Sequence, residues 1–422
     1  MSYFGLPVIF LVTFFYAFAL VLDRSAGTVY LALALLGLAG LVQRSKPEGK
    51  TFYALIKEYW PLMLAMTGPL IAVAANQLVT GHFVYKSFDA QFRLALFALV
   101  FWAILFVPIK HMKQARWGMI LGVLLSTVKM YLLTDGGATR YGSDFIPIII
   151  FAELVLLLGI FSIFSSGWDQ QKPYCNWRTG VKTLTLCAAM YVAYLSQARG
   201  VWVTIPVFAI IACIFIRNIS TSHKIGVAVL FALALAGASQ FAHILKERVG
   251  VAETDIKQYV SGSAVDTSLG VRFQLWHGSW ILFKEHPLIG VGIEAYPDAL
   301  KGLAERKIIS PFSATLPHSH NEILFMMARL GTFGLLAILA VYFVPLFYFV
   351  REIRHPDMEI RCAAAMGVAL SLGFFTLGLV DVLFLWWESY PYYAISTAFF
   401  LCYIIKRKNV LAQPGAASLA LG

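Results

Sequence analysis

The sequence predicts an all-α integral membrane protein of about twelve transmembrane helices with one large outer loop, on three observations. Hydrophobic residues make up 59% of the 422-residue chain and charged residues only 13%, where ordinary globular domains carry roughly a quarter charged residues. The mean hydropathy is +0.75. The apolar residues also come in runs of about 20, the length that crosses about 30 Å of hydrocarbon. Twelve runs can be marked, near residues 5–22, 26–43, 61–81, 94–109, 117–134, 145–165, 181–197, 200–216, 224–241, 321–350, 361–384 and 389–405.

The first run reads as a retained span, because it lacks the basic n-region and small-residue cleavage site of a signal peptide. No polar linker, compositional break or internal repeat divides the chain, so residues 1–422 read as one polytopic membrane domain. The net charge of +11 raises the question of nucleic acid, but its distribution argues for membrane insertion instead. Clusters at Arg44, Lys46, Lys50 and Lys57, at Lys110, Lys113 and Arg116, and at Lys172, Arg178 and Lys182 fall in every second loop. The series continues with Arg217 and Lys224, with Arg351, Arg354 and Arg361, and with Lys406, Arg407 and Lys408. By the positive-inside rule these loops and both termini are cytoplasmic.

The five cysteines lie in or beside spans, apart from Cys175 in an expected cytoplasmic loop, and imply no disulfide framework. No Cys/His spacing fits zinc and no carboxylate cluster fits magnesium or manganese, so no metal or other cofactor is expected.

This topology leaves residues 242–319 outside, too long for a connector. Helical patterning from Ile244 to Tyr259 and from Arg272 to Glu285, followed by the turn-rich run His286-Pro287-Leu288-Ile289-Gly290-Val291-Gly292, predicts short helices capping an outward-facing cavity. Three features converge on that face. Arg199-Gly200 sits at a tight outer junction, where the guanidinium either meets a ligand or snorkels to headgroups. Arg272 lies near the start of an amphipathic helix with Trp276 and Trp280 one turn apart, suited to holding a phosphate or to resting on lipid. The run Pro317-His318-Ser319-His320-Asn321-Glu322 leads into the tenth span. The positive end of a helix dipole disfavours imidazolium and attracts phosphate, and an uncharged imidazole is what a general base needs. A histidine there also reads as a simple polar cap.

His320-Asn321, nine residues, then Gly331-Thr332-Phe333-Gly334 resembles the His-Asn/Ser/Gln-x9-Gly-x-x-Gly signature of the O-antigen ligase family, which related O-antigen polymerases and bacterial protein O-oligosaccharyltransferases share. Arg199-Gly200, and Arg272 ahead of His286-Pro287-Leu288-x-Gly290-x-Gly292, fit the same pattern; the likeness is strongest from about residue 180 to 340. The resemblance implies a GT-C-like glycosyltransferase of the bacterial inner membrane. It would move a glycan from undecaprenyl pyrophosphate to a sugar hydroxyl of the lipid A core, on the periplasmic face and without metal. In that reading His320 is the base, Arg199 and Arg272 hold the pyrophosphate, and His318, Asn321, Lys129 and Asp381 support them. Membrane lipid is the surrounding partner, and no nucleic acid is involved. Fewer than about 20 residues follow the last run, which favours a lipid over a protein acceptor. A polymerase, a protein O-oligosaccharyltransferase and, from another class, a twelve-span transporter or flippase remain open; the site residues lie at the outer edge of their spans rather than at a midplane, which weighs against transport.

Overall fold

The computed structural model describes residues 4–139, 144–169, 177–215 and 266–413; the expected ninth span at 224–241 and the patterning from Ile244 to Tyr259 lie outside them. The described chain is α-helical, with short 3-10 turns and no β-strand. In order the helices are α1 (Gly5–Phe18), α2 (Ser25–Val42), α3 (Phe52–Glu58), α4 (Trp60–Thr80), α5 (Asp89–Ala95), α6 (Phe97–Ile104), α7 (Ile109–Met112), α8 (Ala115–Leu133), α9 (Ile148–Phe164), α10 (Trp177–Leu195), α11 (Arg199–Trp202), α12 (Thr204–Phe215), α13 (Ser268–Glu285), α14 (Tyr296–Glu305), α15 (Glu322–Val350), α16 (Met358–Gly378) and α17 (Ser389–Leu411).

Seven stretches among the described residues are long and apolar enough to cross a bilayer: Ser25–Val42, Trp60–Thr80, Tyr85–Ile104, Ile109–Leu133, Ile148–Trp168, Glu322–Val350 and Met358–Gly378. The other expected spans differ for local reasons. α1 has only 14 residues, and the eighth run divides into α11 and α12. α10 and α17 are long enough but less apolar, α10 because it carries Arg178 and Lys182 and α17 because it opens on Ser389-Tyr390-Pro391-Tyr392-Tyr393.

The helices pair along their lengths, α1 on α8, α2 on α6, α4 on α15, α9 on α10, and α16 on both α15 and α17. α9 and α17 are buried almost all round, whereas α1, α2, α4 and α8 leave Phe10, Leu35, Leu64 and Leu132 exposed, as helices facing hydrocarbon would. A second, smaller core forms where α13 and α14 pack on the first turns of α15, burying Val271, Leu275, Leu282, Tyr296, Leu300 and Leu303 against Phe325, Ala328 and Val382.

The two ends of the bundle differ in charge. Following the chain, the loops near residues 43–51, 105–114, 165–169 and 351–357 and the end of α17 gather at one end. There Lys113 pairs with Glu359 at 2.6 Å, Arg407 with Asp357 at 2.8 Å and Lys408 with Glu352 at 2.6 Å, and Lys406 pairs with Glu48. Asp169 is buried between Lys182 at 2.6 Å and Arg116 at 2.8 Å. The histidine motif and the small cap lie at the opposite end.

α15 is broken near its start. Gly331 takes φ 62° and ψ −148°, a conformation left to glycine. The run His286-Pro287-Leu288-Ile289-Gly290-Val291-Gly292 lies across the break and meets the backbone groups that it frees. Thr332 donates both its N–H and its hydroxyl to Pro287 O at 2.8 Å, while the N–H groups of Val291 and Gly292 donate to Ala328 O at 3.0 Å and Arg329 O at 2.8 Å. Asn76 of α4 donates to Ile289 O at 2.8 Å and anchors the strap from the far side. The spaced glycines and the Pro-Leu-x-Gly run are therefore two halves of one device. Gly331 serves close packing of this strap.

A Cβ at Gly331 would fall 2.4 Å from the Leu288 carbonyl. Gly331→Ala is expected to cost about 1–3 kcal/mol from backbone conformation alone, and more from the clash. Thermal unfolding in detergent checks this, and a variant melting with the wild type would remove the strap from its structural role.

Candidate active site

Asn321, rather than either histidine, caps α15. Its Oδ1 accepts from the Leu324 N–H at 3.0 Å, and its Nδ2 donates to Leu379 O at 3.1 Å, tying the helix start to the end of α16. The histidines stand just before the helix, on a loop held tight by local bonds. The His320 backbone N–H donates to His318 Nδ1 at 3.2 Å, and the Ser319 hydroxyl donates to Asn321 O at 2.9 Å. His320 itself has φ 51°, left-handed backbone that a non-glycine residue adopts at some cost and that is common at functional sites.

This loop faces the turn after α16, where Asp381 lies buried. His320 Nδ1 is 3.5 Å from Asp381 Oδ1, long for a hydrogen bond, and has no other partner among the described residues. Contacts of this kind tighten when substrate binds. An Nδ1–H directed at the carboxylate leaves Nε2 as the proton acceptor. The second Asp381 bond is local, Oδ1 accepting from the Val382 N–H at 2.8 Å. Burial pushes the Asp381 carboxyl up, but the bond to His320 and the electrostatic pull of both histidines outweigh it, so the group stays below the ordinary carboxylate range.

His318 is more deeply set than His320, 9% against 27% side-chain exposure, with the two rings 4.4 Å apart and nearly perpendicular. Burial first, then the neighbouring charge of His320, push its imidazole down to about 4; Asp381 opposes that shift and Arg272 adds to it. His318 is therefore neutral, which agrees with Nδ1 acting as an acceptor. That effect also brings Arg272, on the first turns of α13, within electrostatic reach of His318. Tyr296 closes the floor, its hydroxyl 3.3 Å from Ser279 Oγ and its phenol pushed up to about 12 by burial.

The other sequence candidates lie as follows. Arg199 opens α11; its side chain lies outside the described ones. Lys129 is engaged already, paired with Asp144 at 2.8 Å, 3.3 Å from Leu20 O and over the Phe145 ring at 4.0 Å. Its charge is matched by a neighbouring loop, which gives it a structural task at this end of the bundle. Sequence reasoning named no metal group, yet His318, His320 and Asp381 bring three ligand atoms within 4.8 Å of one another. The residues are far apart in sequence, so spacing could not reveal the grouping. Its fit to a cation is poor, because the His318 Nδ1 lone pair already accepts the His320 N–H and Arg272 adds positive charge. Glu322 and Arg329 received no role from the sequence. Both are ionisable groups inside an expected span, which was the available signal. Glu322 is buried and accepts the Phe384 N–H at 2.9 Å, bracing the turn that carries Asp381.

A helical multi-pass membrane protein with an imidazole–carboxylate pair and a nearby arginine under a small helical cap is the class that these features define. The protein-family profile described as O-Antigen ligase matches residues 184–339, which span the arginine junction, the cap, the histidines and the glycine signature. Among curated proteins, the chain is 28% identical over 232 residues to the O-antigen ligase of Escherichia coli K12, covering 54% of this chain and 52% of that protein. It is 26% identical over 221 residues to an uncharacterized protein of Haemophilus influenzae, covering 51% and 54%. The matched region thus spans about half the length of each relative. Over residues 184–339 the chain is similar to the O-antigen ligase family.

The His318 environment makes a pH prediction. Its folded value of about 4 lies below the unfolded value near 6.5, so unfolding takes up a proton between the two. Stability is full above about pH 6.5 and is lost as pH falls toward 4, by roughly 2 kcal/mol at pH 5. Melting curves at pH 7 and pH 5 should separate for the wild type and converge for His318→Gln; equal shifts in both would contradict the assignment.

Proposed function

We propose that the protein is an O-antigen ligase of the bacterial inner membrane. It transfers a polysaccharide from undecaprenyl pyrophosphate to a sugar hydroxyl of the lipid A core, on the periplasmic face. The observation that carries this reading is the His320–Asp381 pair, 3.5 Å apart, at the end of the bundle away from the basic clusters. With those clusters cytoplasmic, the positive-inside rule turns the pair outward. The reading retains about twelve spans, cytoplasmic termini, one polytopic domain over residues 1–422, and residues 242–319 as the capping subdomain.

The chemistry requires little covalent help, because pyrophosphate is a good leaving group. His320 Nε2 takes the acceptor hydroxyl proton as that oxygen attacks the anomeric carbon. The bond from that carbon to the phosphate oxygen breaks, and the configuration inverts. Asp381 holds the ring by Nδ1–H and stabilises the imidazolium that forms, while His318 and the Asn321 cap fix the loop. Arg199 and Arg272 meet the charge gathering on the departing pyrophosphate through forked, charge-assisted hydrogen bonds. No metal enters this scheme.

Purified protein, lipid-linked donor and lipid A-core acceptor in the presence of EDTA provide the test. His320→Ala should lower transfer on the order of 10² to 10⁴-fold while remaining folded. Full activity in that variant, or activity lost to EDTA, would refute the scheme. A deletion strain that accumulates single repeat units, rather than full-length lipid-linked polymer, would point to polymerisation instead.

Asp381→Asn preserves shape but removes the charge that orients the base, so kcat should fall roughly 10²-fold or more with the donor KM little changed. A change confined to KM would assign Asp381 to binding.

A further inference from the structure

Arg329 lies inside α15, two residues before the break at Gly331, and forms no ion pair among the described residues. Its Nε is sealed from solvent with no hydrogen-bond partner, while the side chain as a whole keeps partial exposure. Among the described residues the guanidinium makes no ion pair or hydrogen bond; it lies over the Phe325 ring, 4.3 Å from the centroid. Tyr296, Tyr390, Glu322 and Glu294 lie within electrostatic reach. Both acids are committed elsewhere, Glu322 to the Phe384 N–H at 2.9 Å and Glu294 to the Ser87 hydroxyl at 2.9 Å. A buried cation left without an anion is costly, and such groups inside membrane proteins mark ligand paths.

The break sets its depth. Residues 332–350 rise roughly 28 Å at 1.5 Å per residue, about the thickness of the hydrocarbon layer. Arg329 therefore sits at the interface, on the histidine side, where the phosphates of a membrane-anchored substrate lie. Arg329 acts electrostatically on Tyr296, whose hydroxyl meets Ser279 and lies beside Ser319, between the two histidines. Phe325, the ring under Arg329, also faces His318, with centroids 6.4 Å apart. Tyr296, Tyr390 and Phe325, the neighbours within reach of the guanidinium, are themselves buried in the protein.

We infer that Arg329 is a binding residue for the diphosphate of the lipid-linked donor, holding it at the membrane surface while the sugar reaches His320. The inference rests on the ligase reading of the same site. It assigns the anion-binding task to three arginines instead of two, with Arg329 on the lipid-proximal side. Among the described residues nothing occupies its donors, which leaves them open to an entering phosphate.

Binding of undecaprenyl pyrophosphate in detergent, measured directly with no acceptor present, tests this. Wild type and His320→Ala should bind alike. Arg329→Met should bind on the order of 10 to 100-fold more weakly, the loss expected for a charge-assisted pair. Arg329→Lys should recover part of it, because the charge stays while the fork is lost. The melting temperature of Arg329→Met should equal or exceed that of the wild type, since an unmatched buried charge has been removed; a fall in melting temperature with unchanged binding would make the residue structural. Unchanged binding in Arg329→Met would overturn the inference while leaving the ligase reading intact. A wild type that binds no polyprenyl pyrophosphate would overturn both. Phosphatidylglycerol displacing the ligand at equal concentration would reassign the site to ordinary phospholipid.

Discussion

A helix cannot be interrupted at membrane depth unless the backbone groups that it frees are met, and this constraint organises the functional end of the molecule. At Gly331 the freed groups are met by a strap running from Pro287 to Gly292, which Asn76 holds from α4. The strap also joins the cap helices α13 and α14 to the membrane bundle. Arg272 on the cap and His320 ahead of α15 thereby acquire a common reference. A substitution at the break would loosen the cap and the site together.

Below the strap, hydrophobic packing around α9, α16 and α17 determines shape. Above it, polar groups accumulate in a small space: His318, His320 and Asp381, with Glu322 and Arg329 deeper. The bonds there divide the work. Asn321 and Glu322 fasten α15 to the end of α16 and the turn beyond it, which brings Asp381 to the histidines. The proposed transfer uses this economy, because one imidazole oriented by one carboxylate suffices when the leaving group is a diphosphate.

The glycine signature and the histidine motif are neighbours in sequence but serve different ends in space. The histidines face the α16 turn, whereas Gly331 accommodates the strap on its backbone. Their fixed separation has a mechanical cause: the intervening turns of α15 carry Phe325 and Ala328 into the cap core and present Arg329 just above the break.

The sequence by itself determined that the chain is helical and membrane-embedded, that its basic loops alternate, and that His320, Arg199 and Arg272 belong to a family pattern. Composition, run length and short motifs are local quantities, and local quantities survive without coordinates. Only the tertiary structure decided the partners. Asp381 and His320 are distant in the chain, and no spacing rule foretells their contact or the three-atom grouping with His318. Lys129 entered as a supporting cation and is ion-paired in the fold; Arg329 was one charge in an apolar run and proves unmatched among the described residues. Whether a charge is satisfied depends on what other segments bring to it, and that is settled by packing.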